Sequence, residues 1–123
     1  MNGFRIVVIG AGETGTPLLK QLLDAPYVQV LGVADLDPSQ PGIALAKEHG
    51  VATSNDFMTL MRQDVDIVID VTGAPKVREA LRKHMVETGN DHTLIMHERI
   101  ALLMLSLSAG RLVTGKHDTL EYH

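Results

Sequence analysis

Apolar positions along this chain fall into two kinds of run, short continuous ones and spaced stripes. FRIVVI at Phe4–Ile9 is continuous and β-branched, the pattern of a strand covered on both faces. It ends in GAGETG, residues 10–15. Leu18, Leu19, Leu22 and Leu23 then recur at helical spacing as far as Asp24, and Pro26 stops the helix. VQVLGVA at Val28–Ala34 predicts a second strand. Asp35-Leu36-Asp37-Pro38 predicts a turn, 43–49 a short helix with Gly50 as its C′ residue, and 51–52 a brief third strand. Ser54 or Asn55 is placed to cap a helix carrying Phe57, Leu60 and Met61 on one face. DIVIDV at 66–71 predicts a fourth strand. Pro75 suits a helix start, and Thr72 or Gly73 its N-cap. Val77, Ala80, Leu81 and Met85 form that helix's apolar stripe, while Arg78, Glu79, Arg82 and Lys83 face water, Glu79 and Lys83 in the favourable i, i+4 order. Gly89 ends it. A fifth strand at 93–96 and a last helix at 100–109 follow.

Strands alternating with helices predict an α/β fold, a doubly wound parallel sheet of about five strands in the order 3-2-1-4-5, because crossovers are right-handed. No internal repeat or linker interrupts the pattern, and 123 residues fit a single domain. We assign 1–110 to that domain and the polar stretch 111–123 to a C-terminal tail.

Composition narrows the functional classes. Eleven Lys and Arg against fifteen Asp and Glu give a formal charge of −4, so no basic footprint for nucleic acid is expected. The absence of cysteine excludes disulfides, thiolate zinc sites and a catalytic thiol, and fits a reducing, cytoplasmic setting. No run approaches the roughly 20 apolar residues of a membrane span, and the apolar run after Arg5 is too short for a signal-peptide core. No membrane partner is expected.

The chemistry concentrates in the turns after strands one, two and four. Gly10, Gly12 and Gly15 form GxGxxG with a strand before and a helix after, within the ~30-residue unit that the dinucleotide fingerprint requires. Gly10 permits the tight turn, Gly12 lets a pyrophosphate approach the backbone, and Gly15 lets the helix lie close to the sheet. The helix N-terminus offers unpaired N–H groups and partial positive charge to phosphates. The candidate loop is therefore Gly10, Ala11, Gly12, Glu13, Thr14 and Gly15, with the hydroxyls of Thr14 and Thr16 as further donors; Glu13 must point to solvent to spare a phosphate its charge. Asp35 lies twenty residues past Gly15 at the end of the second strand. A carboxylate there accepts from both ribose hydroxyls and repels the 2′-phosphate of NADP, so NAD is the expected cofactor and NADP the less favoured one. Thr72 and Gly73, after strand four, lie across the topological switch point, on the ribose or nicotinamide side of such a ligand.

No catalytic or metal-ligating set stands out. His49, His84, His117 and His123 read as solvated surface residues. His97, Glu98 and Arg99 fall at the carboxyl end of strand five, where ligands bind, but consecutive residues point apart and make a poor dyad. Glu98 equally suits the N-terminal dipole of the last helix. That helix, IALLMLSLSA, is apolar almost all round and is expected to be buried on more than one side, a homodimer being the favoured outlet. Met58, Met61, Met85, Met96 and Met104 are available to fill such contacts.

The runs RIVVIGAGETGTPLLKQLLDAPYVQVLGVADLDP, GIALAKEHGV and DVDIVIDVTGAP resemble the amino-terminal domain of the glucose-fructose oxidoreductase and inositol dehydrogenase family, over residues 4–85. The resemblance implies an NAD(P)-binding Rossmann domain with Gly10, Gly12 and Gly15 at the pyrophosphate, Asp35 at the adenosine ribose and Thr72-Gly73 near the nicotinamide half. The family follows its fifth strand with Glu-Lys-Pro, whose lysine supports catalysis. Here the place reads Met96-His97-Glu98-Arg99-Ile100, and the family's large substrate-binding sheet domain has no counterpart in the chain. The chain also resembles, more distantly, Rossmann-type modules at the front of some bacterial sensor kinases and transcriptional regulators. The expected function is a dinucleotide-binding sensor or subunit, with a substrate or signalling domain supplied separately. The alternatives are an oxidoreductase completed by a partner chain, and a structural dimerisation domain with a vestigial loop.

Overall fold

The β-branched runs do form the centre of a sheet. A computed structural model describes residues 3–114. The elements are β1 (Phe4–Ile9), α1 (Gly15–Asp24), β2 (Val28–Ala34), α2 (Pro41–Glu48), β3 (Thr53–Ser54), a 3-10 helix (Phe57–Arg62), β4 (Ile67–Asp70), α3 (Pro75–Thr88), β5 (Leu94–His97) and α4 (Glu98–Ala109). All five strands are parallel and lie in the order β3-β2-β1-β4-β5, the Rossmann arrangement expected from the alternation.

The two-residue period of β1 divides the core. Ile6 and Val8 face one layer with Leu18, Leu19 and Leu22 of α1, Ile43 of α2, and Ala101 and Leu105 of α4. Val7 and Ile9 face the other with Leu60, Met61, Val65 and Leu81. Val7, Val8, Val33 and Val68 are wholly buried, so β1 and its neighbours are covered on both faces. Opposite β1, β2 carries one extra residue: Ile6 pairs with Val30 but Val7 with Gly32.

Several boundaries differ from the sequence reading, each for a local reason. The third strand is 53–54, not 51–52: the Val51 amide donates back to Ala46 O on leaving α2, and pairing with β2 starts only as Ala52 O accepts from the Val33 amide. Pro41 occupies the first turn of α2, which so begins two residues early. The segment after β3 is a 3-10 turn capped by Asp56, whose side chain accepts from the Met58 amide; Ser54 Oγ instead accepts from the Asp56 amide. The N-cap of α3 is Ala74, past both Thr72 and Gly73, the expected caps. Gly89 takes a left-handed φ of 64° and ends that helix as anticipated. Lys83 pairs with Glu87, at 3.7 Å, one turn further along rather than back.

The last helix departs most. Among the described residues only one side of α4 is covered, through Ala101, Leu102 and Leu105. Ile100, Leu103 and Leu107 are exposed at 47%, 52% and 73%. Among the described residues no helix is long and apolar enough to cross a membrane. His117 and His123, and the tail from residue 115 onward, lie outside the described residues.

Candidate functional site

The turn after β1 is built by its glycines. Gly10 has φ 107°, a conformation that L side chains rarely adopt. A Cβ on Gly15 would stand 1.9 Å from Gly10 O, so only glycine lets α1 start this close to β1. Gly12 differs: a Cβ there would meet only the end of the Gln40 side chain, at 3.2 Å. Residues 12–14 turn across the carboxyl edge of the sheet into α1. Among the described residues the amides of Gly12, Glu13 and Thr14 have no acceptor within the protein. Those are orphan donors at a helix N-terminus, the arrangement that binds phosphate groups.

A cleft of about 370 Å³ opens above this turn. Gly10, Gly12, Glu13, Thr14 and Gly15 line one side, Asp35, Leu36 and Gln40 the β2 end, and Thr72, Ala74 and Val77 the far side, with Phe57 and Asn55 closing the wall. The fold thus gathers three separate sequence candidates, the loop, Asp35 and Thr72, around one space. Ala11 is buried beneath the loop, and Gly73 supplies a left-handed residue, φ 66°, between Thr72 and Ala74. Glu13 is exposed.

Two side chains are more committed than their types suggest. Asp35 Oδ2 accepts from the Ala11 amide at 2.8 Å, and Oδ1 from the Asp37 amide at 2.9 Å. Each oxygen keeps a second lone-pair site for a ligand hydroxyl. The Thr16 hydroxyl donates to Ala11 O at 2.9 Å and is therefore spent on the loop, not offered to a phosphate. On the other side, Gly42 of α2 donates its amide to the same Ala11 carbonyl at 2.8 Å. The loop is held from both flanks.

Sequence reasoning missed two carboxylates. Asp70 ends β4 and is 3% exposed. Its Oδ1 accepts from the Thr72 amide at 3.0 Å and from the Thr72 hydroxyl at 2.6 Å, and Thr72 Oγ1 in turn accepts from the Ala74 amide at 3.1 Å. Asp70 Oδ2 lies 3.3 Å from His97 Nδ1. The neighbour of His97 is therefore Asp70 from the adjacent strand, not Glu98 beside it in sequence. An aspartate closing an otherwise apolar strand was the available signal. Asp66, at the opposite edge, accepts from the Arg5 amide at 2.8 Å and lies 2.7 Å from His92 Nε2. These contacts, the Arg5 amide first, hold its carboxyl well below the usual carboxylate range against the opposing effect of burial.

No family model matches the chain. Among curated proteins, an acetaldehyde dehydrogenase of Roseiflexus sp. is 38% identical over 89 residues, 69% of this chain. The chain spans 28% of that relative's length. Among solved structures, a myo-inositol dehydrogenase from Corynebacterium glutamicum superposes with a TM-score of 0.58 at 22% identity, over 76% of this chain and 27% of that one. A protein of gentamicin A biosynthesis in complex with NAD gives 0.61 at 21% identity, over 89% and 32%. The resemblance to inositol dehydrogenases read from the sequence thus holds at the level of fold.

Proposed function

We propose that this chain is a dinucleotide-binding domain that prefers NAD to NADP. The observation that carries the reading is the convergence of the glycine turn, the acceptor-less amides of Gly12, Glu13 and Thr14, and Asp35 on one cleft. The pyrophosphate would sit over Gly10, Ala11, Gly12, Glu13, Thr14 and Gly15, whose orphan amides supply the donors. Asp35 would take the adenosine ribose hydroxyls on the lone pairs its backbone bonds leave open, and its charge would oppose a 2′-phosphate. Thr72 and Gly73 would border the nicotinamide half. When bound, the cofactor supplies hydride acceptance or donation. The NAD complex among the structural neighbours and the acetaldehyde dehydrogenase relative support this assignment.

Two uses of bound NAD are open to such a domain, sensing and hydride transfer. The buried Asp70 beside His97, on the sheet edge that borders the cleft, favours a part in an oxidoreductase. We assign the exposed outer side of α4 to a homodimer contact, with a separate substrate or signalling domain as a further partner, and place the protein in the cytoplasm.

Calorimetric titration with NAD+, NADH, NADPH and AMP tests the reading. NADH should bind, NADPH at least about tenfold more weakly, a difference of roughly 1.4 kcal/mol. No binding of NAD+ or NADH at millimolar concentration overturns it.

A further inference from the structure

Three strands end abreast at the ligand edge: Ile9 pairs with Asp70, and Asp70 with His97. With neighbouring strands about 4.8 Å apart, His97 begins roughly 10 Å across the sheet from the end of β1, where the phosphate loop starts. That displacement runs from β1 over β4, the direction in which a dinucleotide anchored at the loop crosses the switch point. Thr72 lines the cleft and donates twice to Asp70, and Asp70 Oδ2 faces His97 Nδ1 at 3.3 Å. The link from cleft wall to imidazole is therefore Thr72, Asp70, His97.

The two partners are unequally exposed. Asp70 is 3% exposed, whereas the His97 side chain is 34% exposed. Asp70 Oδ1 is fixed by Thr72, which leaves Oδ2 aimed at one imidazole nitrogen. His97 Nε2 makes no hydrogen bond among the described residues. The 3.3 Å proximity of Asp70 Oδ2 favours a proton on Nδ1, which leaves Nε2 as the basic nitrogen of the ring. The other charged groups near His97 are Glu98, buried at the first turn of α4, and the exposed Arg99.

We propose that His97, positioned by Asp70, is the proton-accepting group beside the nicotinamide half of the cleft, serving the oxidation of a hydroxyl compound; this rests on the NAD-binding reading above. In the forward step the substrate's O–H proton passes to His97 Nε2. The O–H bonding pair becomes the second bond of the product carbonyl. Bound oxidised nicotinamide would supply the acceptor for the hydrogen on the substrate carbon, which leaves with its bonding pair as hydride. The reverse step returns the proton from His97 to a carbonyl as it is reduced.

The test uses the charge difference between the two cofactor states, because oxidised nicotinamide is a cation and reduced nicotinamide is not. The imidazole resonances of His97 are followed by NMR from pH 5 to 9 in the whole chain, saturated with NAD+ and then with NADH. A neighbouring cation disfavours imidazolium, so the midpoint should be lower in the NAD+ complex by about half a unit, roughly a threefold change in the protonation equilibrium. By linkage, the ratio of NAD+ to NADH affinity should rise about threefold across that pH range and become flat in His97→Gln. Equal midpoints in the two complexes, or a pH-dependent ratio that survives His97→Gln, would overturn the assignment while leaving NAD binding intact. Failure of both nucleotides to bind would remove the underlying reading and this one with it.

Discussion

The Ala11 amide donates to Asp35 Oδ2 at 2.8 Å, so the carboxylate assigned to the ribose also ties the glycine turn to the end of β2. Ala11 is 1% exposed, and its amide has no water to fall back on. Asp35 thus couples the two halves of the cleft before any ligand arrives. The turn it holds is the one whose amides would meet the pyrophosphate, and this coupling gives Asp35 two separable effects.

Replacing Asp35 should therefore cost stability as well as affinity. Asp35→Ala leaves a buried amide unsatisfied, a penalty of about 1–3 kcal/mol. Asp35→Asn keeps one acceptor oxygen and should lie between that variant and the parent. Urea unfolding should show the order parent, Asn, Ala in midpoint with an unchanged slope. NADH affinity should fall in both variants, and NADPH should be discriminated against less.

Gly12 and Gly15 should respond to alanine in opposite ways. Gly15→Ala drives a methyl into Gly10 O, and neither backbone segment has room to yield. Overpacking of this kind costs about 1–3 kcal/mol and sometimes more, so a loss of at least several degrees in Tm is expected. Gly12→Ala meets only the end of the Gln40 side chain, and the fold should persist with its Tm nearly unchanged. Its methyl would still stand where a phosphate approaches. Calorimetry should find dinucleotide binding weakened at least tenfold in a protein of normal circular dichroism.

The contrast between those glycines marks what could be read from the sequence. Strand order, both core faces and the jobs of Gly10 and Gly15 follow from period and spacing, because apolar burial and turn sterics act locally. Asp35 was legible as a candidate ligand group from its distance past the turn, and the fold places it in the cleft wall. Its bond to Ala11 was not, since that bond exists only once β1 and β2 lie side by side. Asp70 and His97 meet for the same reason: the strands that end in them are separate in sequence and adjacent in the sheet. The β3 and 3-10 boundaries moved because helix exits and caps are settled by single hydrogen bonds, such as Val51 to Ala46 and Met58 to Asp56.

Asp66 should make the fold acid-sensitive. Its carboxyl is held well below the usual range by the Arg5 amide, then by His92 and the Arg5 side chain. A depressed carboxyl contributes stability that is fully present above its unfolded value, near 3.9, and is lost as pH falls through the folded one. Thermal unfolding should therefore be level from about pH 7 to 5 with respect to this group and decline below about pH 4. Asp66→Asn should lower Tm at pH 7, and the gap to the parent should narrow by pH 3. A gap independent of pH would show that the charge contributes nothing beyond the hydrogen bond.

The outer side of α4 should decide the state of association. Ile100, Leu103 and Leu107 stand at i, i+3 and i+7, on one stripe of the helix away from Leu102 and Leu105. Among the described residues neither core layer includes Leu103 or Leu107, so their replacement should leave the fold intact. Exposed apolar stripes of this kind mark contact surfaces, and a two-fold dimer would bury the stripe against its own copy. Light scattering at about 100 µM, a concentration at which a contact worth about 8 kcal/mol holds most chains in pairs, should report close to twice the chain mass. Leu103→Lys with Leu107→Lys should return the chain mass with Tm within a few degrees of the parent at matched dilution. A lysine at 107 also sits in the last turn of α4, where the helix dipole favours a cation, so loss of the dimer in that variant would not come from a weakened helix. A parent protein of single chain mass at that concentration would exclude α4 as a self-association surface.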